Sequence, residues 1–294
     1  MSRRRPAYAA EALGPSASPG VRPPTRVLGI LNATPDSFSD GGGLWAAGAL
    51  DVEAALRRAR ELVNDGAHAL DIGGESTRPG AREVSVDEEL RRVIPLLEAL
   101  GRDFPVPISI DTRRASVAAA AADLGASIVN DTSALRDDPE LGSVVAERGL
   151  GLVLMHRQGT PENMQRNPHY DDLIAEVGEF FEERIEAALA AGVAESRLIL
   201  DPGLGFGKAR DDNYRLVARL AGVRRRGLPL LIGASRKSFL GRFDVREYRD
   251  RQPGSLAFVA AAHMAGAEWV RVHDVRETVL FLETLQAIEE AQLC

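Results

Sequence analysis

Residues Pro107–Thr132 read PISIDTRRASVAAAAADLGASIVNDT. Two short β-prone runs, Pro107–Thr112 and Ser127–Thr132, bracket an alanine-rich helical pattern at Ser116–Leu124. Gly125 follows that pattern, and glycine just past a helix end is its usual stop. Each run is apolar until its last residues, where Asp111 and then Asn130 and Asp131 appear. Continuous apolar runs of this length suit parallel strands buried on both faces. The stretch therefore predicts one strand–helix–strand unit with polar groups at the carboxyl ends of its strands.

The unit repeats in both directions. Further strand-like runs lie at Val27–Asn32, Ala69–Gly74, Gly151–His156, Leu198–Gly203, Pro229–Ala234 and Trp269–Asp274. Helical patterns separate them at Asp51–Asn64, Val86–Leu100, Asp171–Ala191, Asp212–Arg225 and Gly254–Ala265. Gly66, Gly149, Gly192 and Gly227 punctuate helix ends as Gly125 does. Eight β–α repeats predict an α/β protein with a single (β/α)8 TIM barrel over residues 26–294. A doubly wound sheet is the alternative, but the GxGxxG turn usual after its first strand is missing. Residues 1–25 are rich in Pro, Gly, Ala, Ser and Arg and read as a disordered tail.

Composition narrows the function classes. The 294 residues carry a net charge of −7, which argues against broad nucleic-acid binding. No apolar run reaches the length of a membrane span, and the expected compartment is the cytoplasm. The single cysteine, Cys294, excludes a disulfide framework and a thiolate metal cluster. Of 36 basic side chains only Lys208 and Lys237 are lysines. Either composition left them by accident, or those sites need a compact ammonium rather than a planar guanidinium.

Nearly every strand ends in a polar residue: Asn32, Asp71, Asp111, Asn130, His156, Asp201, Ser235–Arg236–Lys237, and Arg271 with His273. A barrel gathers all of these ends on one rim, where active sites sit. Any one of them could be a helix cap, Thr112 and Asp131 being good candidates. Eight together point to a polar pocket at the barrel mouth. The runs after the first and second strands, Ala33–Gly43 and Gly74–Gly80, are long and turn-rich, and such barrel-top loops are often mobile lids.

In order, the chain carries ILNATPDSFSDGG, DIGGESTRPGA, SIDTRRASVA, VNDTSAL, LMHRQGTPENMQ, DPGLGFGK, GASRKSFLG and RVHDV. With these motifs it closely resembles the dihydropteroate synthase family over about residues 26–291. The resemblance implies a (β/α)8 homodimer. Its reaction joins 4-aminobenzoate to the methylene carbon of a dihydropterin diphosphate, with Mg²⁺, giving dihydropteroate and diphosphate by an SN1-like path. Carried onto this chain, Asp111, Asn130, Met155, Asp201 and Lys237 hold the pterin. Asn32, Arg78, Arg271 and His273 hold the diphosphate, with Asn32 also on the metal. Phe38, Thr77, Pro79, Phe206 and Ser238 surround 4-aminobenzoate, and Asp36 joins Lys237 as a catalytic residue. The partners implied are small molecules.

The chemistry suits these residue types. A flat heterocycle edged with donors and acceptors needs buried carboxylates and amides, and a polyanionic leaving group needs cations and a hard metal. Lys208, seven residues beyond Asp201, is expected at the outer end of its loop in a supporting role. Three residues depart from the family pattern: Arg157 stands where a second Met is common, Ala33 where Val or Ile is usual, and Arg114 for Lys. Two rival readings are a methyltetrahydrofolate-binding methyltransferase and a non-catalytic paralogue.

Overall fold

The computed structural model describes residues 24–35, 44–46, 49–76, 81, 83–160, 162–240 and 248–291. Within them the chain runs β1 (Arg26–Asn32), β2 (Trp45–Ala46), β3 (Ala49–Leu50), α1 (Val52–Asn64), β4 (Ala69–Gly73), α2 (Val86–Leu100), β5 (Ile108–Asp111) and α3 (Ala115–Asp123). It continues with β6 (Ile128–Asp131), α4 (Leu141–Arg148), β7 (Gly151–Met155), α5 (Leu173–Ala190), β8 (Leu198–Asp201), α6 (Arg210–Ala218) and α7 (Leu220–Val223). The last elements are β9 (Leu231–Ile232), α8 (Gln252–Met264), β10 (Trp269–Val272) and α9 (Val275–Ala291).

Eight parallel strands pair in the order β8-β7-β6-β5-β4-β1-β10-β9. A parallel bridge between Leu200 and Leu230 joins the two ends into a barrel, and the Leu200 N–H donates to the Pro229 carbonyl at 2.9 Å. The expected strand Pro229–Ala234 shortens to Leu231–Ile232; at its start Pro229 has no N–H to give a ladder and the Leu230 N–H donates to the Glu268 side chain at 2.8 Å. All eight expected strands are present, and the (β/α)8 reading holds. The loop after β1 contains a small antiparallel hairpin, β2–β3, that the sequence did not announce.

Strand alternation sorts the side chains. Leu28, Ala69, Ile128, Val153, Ile199, Leu231 and Trp269 form one buried apolar layer across the barrel. A much larger cluster lies between the strands and the surrounding helices. Helix starts are fixed locally: Asp51 accepts from the Ala54 N–H at 2.9 Å and Asp172 from those of Ile174 and Ala175 at 3.1 Å.

Two expected caps have other jobs. Asp131 accepts from the Ser133 N–H and hydroxyl, both at 2.7 Å, and from the Leu135 N–H at 2.6 Å, and so shapes a turn. Thr112 accepts from the Arg114 N–H at 3.2 Å, just before α3, whose first N–H goes to Asp138 at 2.8 Å. The helical pattern Asp212–Arg225 is two helices, since α7 turns to bury Leu220 and Val223. Thr25, assigned to the tail, is buried and donates to the Ala267 carbonyl at 2.8 Å.

Candidate active site

The carboxyl ends of the strands open into a cavity of about 760 Å³. Its lining includes Asn32, Asp111, Phe206, Lys237, Ser238, Arg271 and His273, seven of the residues singled out above. Asn130, Met155 and Asp201 do not line it; they are buried behind it, 3%, 3% and 5% exposed. Asp36, Phe38, Thr77, Arg78 and Pro79 lie outside the described residues.

Arg271, on β10, crosses the barrel. Its Nε donates to Asp71 Oδ2 at 2.5 Å and a terminal nitrogen donates to Asp111 Oδ2 at 2.8 Å. Asn130 Nδ2 donates to the same Asp71 oxygen at 3.0 Å. Four strands thus meet in one polar cluster. Burial raises the Asp111 carboxyl above its ordinary range, and the nearby Asp71 adds to the rise against the pull of Arg271. Burial likewise raises Asp201, opposed chiefly by Lys237.

The loop Pro202–Lys208 is held from every side. Gly203 N–H donates to Asp201 at 2.7 Å, Gly205 N–H to Asn213 at 2.6 Å, and Tyr170 hydroxyl to the Gly207 carbonyl at 2.6 Å. Lys237 donates to the Leu204 carbonyl and Gln165 to that of Gly205. The glycines are required: Gly203 has φ +63°, and a Cβ there would sit 2.0 Å from the His156 carbonyl oxygen. This scaffold presents the Phe206 ring to Lys237, whose Nζ lies 4.5 Å from the ring centroid. Burial lowers the Lys237 ammonium to about 8, against the raising influence of Asp201.

Lys208 is not at an outer edge. It is 2% exposed, and its Nζ contacts His156 Nδ1 at 2.9 Å and donates to the Phe206 carbonyl at 3.0 Å. Burial lowers it to about 7 and holds His156 well below its usual range, so the imidazole is the neutral acceptor. The loop folds back over Lys208 because its glycines allow close approach. It is therefore an internal clasp, and Lys208→Arg would force a larger head into a full site.

At the cation end, Ser235 Oγ lies 3.0 Å from His273 Nδ1 and accepts from the His273 N–H at 3.1 Å. Arg236 sits at φ +57° and is fixed by Asp274, with Nε–Oδ2 at 3.0 Å. A second arginine group grips the stem of the loop after β4. Arg113 pairs with Glu75 at 3.1 Å and Glu83 at 2.7 Å, and Val84 N–H donates to Glu75 at 3.0 Å. Asp71, Glu75 and Arg236 had no assigned role in the sequence. Asp71 was visible as a polar strand end, whereas the tie from Glu75 to Arg113 spans 38 residues and has no local signal.

The chain matches the family of pterin binding enzymes over residues 28–273. It is 48% identical over 266 residues to the dihydropteroate synthase of Escherichia coli K12, covering 90% of this chain and 92% of that one. Among solved structures, a sulfonamide drug complex of Yersinia pestis dihydropteroate synthase superposes with a TM-score of 0.85 at 45% identity, over 91% of this chain and 95% of that one. The Xanthomonas albilineans dihydropteroate synthase with 4-aminobenzoic acid gives 0.82 at 46% identity, over 90% and 93%. The barrel, its polar rim and these likenesses agree: the chain belongs to the pterin binding enzyme family.

Proposed function

We propose that this barrel performs the dihydropteroate synthase reaction of folate biosynthesis, joining 4-aminobenzoate to (7,8-dihydropterin-6-yl)methyl diphosphate. The observation that carries the reading is the single cavity where Lys237, Phe206, Asp111, Arg271 and His273 meet. A hydrogen-bonding floor, an aromatic wall and a cluster of cations are what a pterin, an arylamine and a diphosphate respectively need. A methyltransferase of the same family has no diphosphate to hold and leaves the placing of Arg271 with His273 on the cavity wall unexplained.

In this reading Asp111, Asn130, Asp201 and Lys237 bind the pterin edge and Met155 packs on its ring. Asn32, Arg78, Arg271 and His273 receive the diphosphate. The C–O bond breaks, the diphosphate leaves with the bonding pair, and the pterin stabilises the methylene cation. The neutral arylamine then forms the C–N bond and loses a proton. Phe38, Thr77, Pro79, Phe206 and Ser238 exclude water around the amine, and Asp36 stabilises the cation by its charge.

Asn32 supplies a neutral, hard oxygen on the cavity wall. Among the described residues no three His, Cys, Asp or Glu side chains are grouped to hold a cation alone. That donor set fits Mg²⁺ arriving with the diphosphate rather than a resident ion. When bound, Mg²⁺ supplies charge neutralisation for the leaving group. A cytoplasmic homodimer, which the family resemblance implies, completes the reading. Among the described residues no helix is long and apolar enough to cross a membrane.

The test is diphosphate release with both substrates and Mg²⁺. Turnover that stops in excess EDTA and returns with Mg²⁺ is expected. Pterin binding without any diphosphate release would identify a non-catalytic paralogue instead.

A further inference from the structure

Asp71 has no exposed surface and its carboxylate serves two neighbours with one oxygen. A carboxylate oxygen only accepts. Facing Asn130, it therefore selects the amide nitrogen and turns the amide oxygen away. That oxygen, Asn130 Oδ1, is buried and has no partner in the protein. Buried polar groups left open in this manner call for an explanation, since a desolvated acceptor without a partner is destabilising. The same Asp71 oxygen takes the Arg271 Nε and so sets the angle at which the guanidinium reaches Asp111. Ser109, paired with Asp71 in the β4–β5 register, also has an unpartnered buried hydroxyl. Unmet groups thus gather on adjacent strands behind the cavity.

We propose that Asp71 is a positioning residue for pterin recognition, fixing Asn130 as an acceptor and Arg271 in its reach to Asp111. The proposal rests on the pterin reading above and adds a determinant of its selectivity: the ligand must bring an N–H donor to Asn130. Asp71 acts through its neighbours and touches no reacting atom. Other charged groups acting on this cluster are Asp111, Arg271, Asp201, Lys237, Glu75 and Glu89.

Calorimetric titration of 6-hydroxymethylpterin into the full chain provides the test. Binding by the wild type checks the pterin reading itself, separately from the role of Asp71. Asp71→Asn keeps the size but loses the charge, and its own NH₂ group lets Asn130 turn over. Pterin affinity is expected to fall roughly tenfold or more. In steady state the loss should appear in KM for the pterin substrate and leave KM for 4-aminobenzoate unchanged. Unchanged pterin affinity, or an equal rise in both KM values, overturns the proposal.

Should that variant fail to fold, Asn130→Asp serves in its place. It sets two carboxylates face to face at neutral pH. Acidification returns a donor to position 130, so pterin affinity should recover between about pH 7.5 and about pH 5.5 more than in the wild type. A loss that is the same at both pH values defeats the proposal.

Discussion

The two ends of the barrel are built from the same strands and obey opposite rules. On the amino-terminal side the inward residues are Leu28, Ala69, Ile128, Val153, Ile199 and Trp269. Two residues further along, about 7 Å, the same strands present Ile30, Asp71, Asn130, Met155, Asp201 and Arg271. One pleat repeat replaces an oily plug by a charged cluster. The plug gains its stability from area removed from water. The polar layer holds carboxylates that burial drives toward neutrality and leaves oxygens without partners. A fold can carry that cost at one end because apolar burial dominates the other, where the Trp269 indole N–H is the unpartnered polar atom.

The largest effect should come from cutting the plug. Trp269 is 2% exposed and packs within the apolar layer, with the Arg26 guanidinium 5.6 Å from its ring centroid. Trp269→Ala should lower unfolding stability by about 3–5 kcal/mol. Pterin affinity should stay the same at temperatures where the variant is folded. Urea titration with calorimetry checks both halves. A large loss of pterin affinity in folded protein would show that the two layers are not independent.

Next in size is Lys237→Arg, which tests the polar end by shape rather than charge. The ammonium is confined between Phe206 and the Leu204 carbonyl, and a planar fork is wider. We expect a loss of about a hundredfold in kcat/KM, about 2.7 kcal/mol. The wild-type profile should also fall as pH rises through about 8, because the free-enzyme ammonium deprotonates there. A guanidinium keeps its charge, so the variant should lose that alkaline limb. Near-wild-type turnover with the limb intact would contradict both points.

This contrast explains how much could be read beforehand. Continuous apolar runs and helical patterns are local, so all eight strands and most helices were legible. The strand-end polars were legible for the same reason, and the structure places Asn32, Asp111, Lys237 and Arg271 around one cavity. What the sequence hid is long-range. That Arg271 reaches Asp71 and Asp111 spans 200 and 160 positions. The burial of Lys208 depends on glycine-permitted folding of its loop over His156. Caps at Thr112 and Asp131 were misjudged because the same side-chain bonds also make turns.

Smaller is the effect of Asp201→Asn. Pterin binding should weaken by about 1–3 kcal/mol, the cost of one mismatched buried partner. Stability should move the other way. Burial raises the Asp201 carboxyl, so its protonated form favours the native state at low pH, and that contribution is lost as pH rises through the raised value. An amide never ionises. Above that raised value the variant should therefore be at least as stable as the wild type, and relatively less so in acid. Thermal melts across pH, read with calorimetry, would refute this if the variant were the less stable protein at alkaline pH.

The smallest effect belongs to Arg157, a charge at the rim but outside the cavity lining. It is 4% exposed, pairs with Asp137 at 3.1 Å, and its Nε donates to the Gly159 carbonyl at 3.1 Å. Removing one partner of a buried pair usually costs about 3–5 kcal/mol, because the other charge is stranded. Here it is not stranded: Asp137 is 24% exposed and keeps Arg113 at 3.2 Å. Gly159 is exposed, so water can replace the lost donor. The bond from Arg136 to position 157 uses the backbone carbonyl and survives any substitution. Methionine also fills much of the vacated volume with apolar atoms. Arg157→Met should thus change stability by about 1 kcal/mol or less and leave kcat/KM within about twofold of wild type. If urea titration gave a loss of about 3 kcal/mol, the rim charges would be part of the barrel's stability after all, and the division between its two ends would have to be redrawn at Arg157.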